Sequence, residues 1–194
     1  MSDTVDATNS LTALLDDFEW EIRSLYDALI LQNWDRPEPR GRARFPHILY
    51  GCVMWCFSFV DLVSCCWKGA LSSQGQSKRI VDFLQNYLHR PRFECSVAVN
   101  IWRHKMMHTA EPRRLHENGI AFHWLLHWGD ELPKDQHFSM SADGKTFRMA
   151  LFYLVQDVRT ALNCYLAELA VDSMLRANFD AVQRDLQHQK LNRY

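Results

Sequence analysis

At 194 residues the chain is long enough for one domain with a modest insertion, and 47% hydrophobic content with 12% aromatics gives it material for a packed core. Seven tryptophans and eleven phenylalanines exclude disorder over most of the length. A formal net charge of −1 excludes a partner chosen by overall charge, so any nucleic-acid role must rest on local basic patches.

The pattern along the chain is mostly helical. Asn9 or Ser10 is placed to cap a helix over LTALLDDFEWEIRSLYDALILQN, where Leu11, Leu14, Leu15, Phe18, Ile22, Leu25 and Leu29 recur at helical spacing. Asp16, Asp17 and Glu19 fall early in it, on the side that the helix dipole favours. The Pro-, Gly- and Arg-rich WDRPEPRGRAR ends this helix. Pro46 then opens a very apolar second helix that runs to Lys68–Gly69. Residues 45–69 are long enough to span a bilayer, but Asp61 within them is costly in lipid, so a core helix is expected. An acid in so apolar a helix needs a partner, which Arg103 or a histidine is expected to supply unless Asp61 snorkels at an exposed edge.

A third helix over 77–89 shows an amphipathic stripe of Ile80, Val81, Phe83, Leu84 and Leu88, and Pro91 breaks it. Phe93 to Met107 form a fourth, ended by Pro112. From 113 to 147 the period changes. IAFHWLLHW reads as a strand, and QHFSMSADGKTFRM adds a second strand and an Asp143–Gly144 turn, giving a small β-hairpin. A long helix follows over 146–173, with an amphipathic piece at 174–190. The expected fold is therefore an all-α bundle of four to five helices with a β-hairpin insertion, in a single domain spanning 1–194.

Six cysteines do not form a disulfide framework by their placement. Cys52, Cys56, Cys65 and Cys66 share one apolar run, and Cys95 and Cys164 lie in others, as free buried thiols do. Residues 1–10 are polar and acidic and lack the regions of a signal peptide, so a reducing cytoplasm is expected, with no membrane partner.

The chemistry concentrates in NIWRHKMMHTAEPR, residues 100–113, which admits three readings. His104 and His108 are four apart and share a helix face, as a two-histidine metal site requires. Further ligands would come from His116, His123, His127 or a carboxylate. However, the H-E-x-x-H pattern fails and the cysteines lack paired spacing, so no metal or other cofactor is assigned. The second reading pairs Arg103 with His108. Positions five apart diverge by about 140° on an ideal α-helix, so the two side chains would converge only at a fraying turn. Arginine holds phosphate with a planar fork and histidine moves a proton near neutral pH, a combination suited to attack of a ribose 2′-hydroxyl on its own phosphate. The third reading is a solvated helix end, where basic side chains are favoured by the dipole.

R-H-K-M-M-H resembles the R-x4-6-H motif of HEPN-domain proteins, with Arg103 matching the arginine, His104 the polar residue that follows it, and His108 the histidine. The order of helices is also similar over roughly 11–170. The resemblance implies a metal-independent endoribonuclease leaving a 2′,3′-cyclic phosphate and a 5′-hydroxyl. Two motifs would face each other across a homodimer. Arg103 would bind the scissile phosphate, His108 would transfer the proton and His104 would support them. It also implies a role as a toxin or in antiviral defence, with an antitoxin or sensor as partner. Ala110 stands where the toxin group has a tyrosine that nucleotide transfer inactivates, so that route of regulation is not expected. Arg90 and Arg92, with Arg113 and Arg114, form two basic clusters suited to an RNA backbone, and Trp102 is placed to stack on a base. The alternative function is a non-catalytic HEPN-like module that binds RNA or a protein.

Overall fold

In the computed structural model, residues 2–31, 48–105, 115–117, 120–128 and 132–191 are described, with side chains for 7–27, 50–102, 121–128 and 132–188. The chain clusters into two compact units, Met1–Cys52 and Val53–Tyr194.

The first unit carries α1, Ser2–Leu31. Leu11, Leu15, Phe18 and Ile22 are buried, at the spacing that keeps one stripe of a helix on one side. Leu14 and Trp20 lie off that stripe and are exposed. The helix starts well before Asn9 and Ser10, which stand inside it as ordinary helical residues instead of caps.

In the second unit, the rest of α2 (Ile48–Lys68), α3 (Gln76–Leu88), α4 (Arg92–Ala98), α5 (Leu151–Val171) and α6 (Ser173–Leu191) contribute the helices among the described residues. The fold is mostly helical with a small sheet between α4 and α5. Aromatic edges organise the core. Phe83 and Tyr87 of α3 lie edge-on to Trp67 of α2, at ring distances of 6.0 and 6.2 Å, and both meet Tyr165 of α5. Such offset contacts favour one arrangement over others of equal buried area. The six cysteines are free, and burial pushes the Cys66 and Cys95 thiols up to about 12, which leaves them chemically inert.

Two helix ends show how the chain is punctuated. The Asp172 carboxylate accepts the N–H groups of Met174 at 2.7 Å and Leu175 at 3.1 Å, capping α6 and setting a sharp break after α5. At the end of α2, Gly69 takes φ +76° and its N–H donates to the Cys65 carbonyl at 2.8 Å. A Cβ at Gly69 would stand 2.7 Å from Asn178 Oδ1 and 3.1 Å from the Asn178 Cα, so the clash is partly with backbone. Gly69→Ala should therefore destabilise the protein by about 1–3 kcal/mol, read as a lower urea midpoint at unchanged slope. An unchanged midpoint would show that this turn relaxes freely.

The insertion is more than the expected hairpin. Four strands, β1 (Leu115–Glu117), β2 (Ile120–His127), β3 (Ser139–Met140) and β4 (Thr146–Ala150), form a sheet in the order β1-β2-β4-β3. β1 pairs antiparallel with β2, and β3 with β4, while β2 and β4 run parallel with Trp124 beside Phe147 and Leu126 beside Met149. The two segments expected to pair with each other as a hairpin are thus parallel neighbours, each with its own antiparallel partner. The Asp143–Gly144 turn does form, but it joins β3 to β4: Gly144 has φ +67° and its N–H donates to the Ser141 carbonyl at 2.8 Å. Residues 146–150 consequently belong to the sheet, and the long helix starts at Leu151. Trp128 closes the junction, its carbonyl accepting the Phe152 N–H at 3.0 Å.

Candidate functional site

The segment carrying Arg103 continues α4 without a break but changes its winding. Val99–Lys105 form a π-helix, whose hydrogen bonds close five residues apart. Single π turns of this kind recur at functional positions because they shift which side chains share a face. The turn is pinned from the inside. Val99, Ile101 and Trp102 are buried, and the Trp102 ring meets that of Trp124 on β2 at 5.1 Å and 75°. Burial of Trp102 overturns the expectation that its indole stacks on a base; it anchors the π turn on the sheet. Arg103 and His104 belong to that turn, with side chains outside the described residues, and His108, Arg113 and Arg114 lie outside them altogether.

Arg90 and Arg92 flank Pro91, at the start of α4. Neither is a bare cation. Arg90 Nη2 lies 3.5 Å from Asp157 Oδ2 on α5, and Arg92 Nη1 donates to Asp82 Oδ1 at 2.6 Å and to Gln85 Oε1 at 3.2 Å. Arg92 is half exposed, so it remains the more available of the two for a phosphate.

Asp157 also faces His137, which the sequence did not single out. His137 is wholly buried beside β3; its Nδ1 accepts the Ala150 N–H at 2.9 Å and its Nε2 lies 3.3 Å from Asp157 Oδ2. That pattern fixes the tautomer with hydrogen on Nε2. The Glu94 carboxylate accepts the Met140 N–H at 3.2 Å, so α4, the sheet and α5 are tied together behind the π turn. Burial holds the His137 imidazole below its ordinary range, against the pull of Asp157 and with help from Arg90 and Lys134. Its folded pKa being depressed, His137 contributes stability in full above the unfolded value of 6.5, and this is lost as pH falls below it. The thermal midpoint should thus fall between pH 7.5 and 5.5 more steeply in the wild type than in His137→Gln. Equal slopes would remove His137 from the acid sensitivity.

Asp61 meets Arg79 of α3, whose Nη2 lies 2.9 Å from Asp61 Oδ1. Gln76 Nε2 donates to the other carboxylate oxygen. The acid inside the apolar helix is accordingly paired near the protein interior and does not snorkel to an exposed edge. Tyr50–Lys68 is long and apolar enough to cross a membrane, with half of that window buried inside the protein.

His123 and His127 fall on one face of β2, the first exposed and the second half-buried, as their spacing implies. Among the described residues, no group of three or more His, Cys, Asp or Glu side chains is placed to hold a metal ion.

No family model, curated protein or solved structure matches the chain. Its functional assignment therefore rests on the residues and their setting.

Proposed function

We propose that the chain is a metal-independent endoribonuclease of the HEPN type, working as a homodimer in the cytoplasm with the whole chain as one helical-bundle domain. The observation that carries this is the position of Arg103, on a π turn anchored by the buried Trp102 and five residues before His108. A π winding over Val99–Lys105 sets Arg103 at a different angle around the helix axis from the one an α-helix would give it.

In the reaction, the ribose 2′-oxygen attacks the adjacent phosphorus, the bond to the 5′-oxygen breaks, and a 2′,3′-cyclic phosphate and a 5′-hydroxyl result. Arg103 holds the phosphate oxygens as charge builds on them, and His108 takes part in moving the proton from the 2′-hydroxyl toward the leaving oxygen. His104 supports the pair. The substrate carries its own nucleophile, so no bound metal hydroxide is required. Arg92, with Arg113 and Arg114, guides the RNA backbone. An antitoxin or sensor protein as regulator, and a role in bacterial stress or phage defence, follow from the same assignment.

The test is incubation of purified protein with labelled total and transfer RNA in EDTA, beside His108→Ala. Cleavage by the wild type with cyclic-phosphate ends, and none by the variant, is the expected result. Intact RNA with both proteins folded would favour a non-catalytic binding module, and cleavage only on adding a divalent ion would favour a metal enzyme.

A further inference from the structure

An open groove of about 350 Å³ lies toward the C-terminal end of α3, lined by Trp67, Asp82, Gln85, Asn86 and His89. We propose that this groove is a second RNA contact that accepts one unpaired nucleotide, its base on the Trp67 indole and its phosphate on Arg92 and Lys68. The choice of RNA as ligand rests on the ribonuclease assignment above; the chemistry of the groove is independent of it.

Trp67 is a fixed platform. Its ring is held edge-on by Phe83 and Tyr87, and its carbonyl accepts Asn178 Nδ2 at 3.0 Å. The exposed Lys68 ammonium lies 3.8 Å over the ring. A flexible surface cation resting there shows that this ring face is reachable from solvent. A surface cation–π contact is weaker than base–aromatic stacking, so a base displaces the lysine, whose ammonium is then free for the phosphate. Gln85 and Asn86 offer carboxamides, each both donor and acceptor, and Asp82 offers an acceptor, which together suit the polar edge of an unstacked base. Arg92 bridges Asp82 and Gln85 at the rim of the groove.

His89 adds a separate observation. It caps α3 in the left-handed region at φ 51°, ψ 33°, a position where glycine is the unstrained choice. A histidine held there at a conformational cost, with its imidazole lining the groove, points to use of the side chain.

The experiment measures affinity by fluorescence anisotropy for a labelled single-stranded RNA carrying 2′-O-methyl groups throughout, which keeps bases and phosphates but has no 2′-hydroxyl to react. His89→Gly and Asn86→Ala should each weaken binding about tenfold. His89→Gly should at the same time leave the thermal midpoint equal or higher, because glycine relieves the strained turn. A purely structural His89 would change the midpoint without moving affinity. Affinities of both variants equal to wild type overturn the proposal, even if unmodified RNA is cut in EDTA and the ribonuclease assignment stands. Weakened binding by both variants sustains the groove even if unmodified RNA stays intact, in which case only the ribonuclease assignment falls. No binding by the wild type overturns the groove.

Discussion

Arg103→Ala should lower RNA cleavage by roughly a hundred- to a thousand-fold, a loss of about 2.7–4 kcal/mol, with most of the change in kcat. The reason is the timing of charge. In the ground state the scissile phosphodiester carries one negative charge shared between two oxygens; as the 2′-oxygen bonds to phosphorus, negative charge accumulates on the equatorial oxygens. A guanidinium aimed at that position gains interaction energy as the barrier is climbed, and such gains raise turnover without tightening substrate binding. Lysine at 103 should restore only part of the rate, since a point charge cannot reproduce a two-pronged contact. His108→Ala should cost about a hundred- to ten-thousand-fold and flatten the pH profile near neutrality, as removal of a general acid or base does. If Arg103→Ala, with an unchanged thermal midpoint, cleaves RNA at the wild-type rate, the site is elsewhere.

Local periods are legible in this sequence and the pairing of distant segments is not, which follows from what each depends on. The stripe of α1 and the strand character of 120–127 are local periods; the strand is seen, and so is the stripe at Leu11, Leu15, Phe18 and Ile22, whereas Leu14, expected on it, is exposed. The parallel pairing of β2 with β4 depends on register between segments separated by the turn at Lys134–Gln136 and by β3, which no local period encodes. The burial of Trp102 is not readable from the sequence for the same reason. On an isolated helix Trp102 stands beside Arg103 and looks available, whereas the sheet that buries it against Trp124 is assembled from strands that begin only at Leu115, well downstream of the helix. The π winding likewise has no signature in composition. One missed feature did carry a signal: His89 ends an amphipathic stripe two residues before Pro91, where a C-terminal cap is expected and glycine is absent.

Arg79→Met should destabilise the protein by about 3–5 kcal/mol, the usual cost of removing one partner from a buried ion pair. The two side chains are 9% and 15% exposed, so little water is at hand to solvate the carboxylate left behind. Arg79 also donates from Nη1 to the Ser72 carbonyl at 2.7 Å and from Nε to Ser64 Oγ at 3.2 Å, joining the loop after α2 to the α2–α3 contact. Its place was readable in principle: Arg79 precedes Phe83 by four residues, on the stripe that α3 buries, and a cation on an apolar stripe calls for an acid opposite. The double replacement Asp61→Leu with Arg79→Met should recover most of the loss, because two apolar groups of similar volume leave no unpaired charge. Urea melts of the two single variants and the double variant measure this directly. Additive losses would mean that the pair is not coupled. Recovery would show that the ion pair adds little net stability, and that an acid in the most apolar helix is tolerated only because Arg79 is buried beside it.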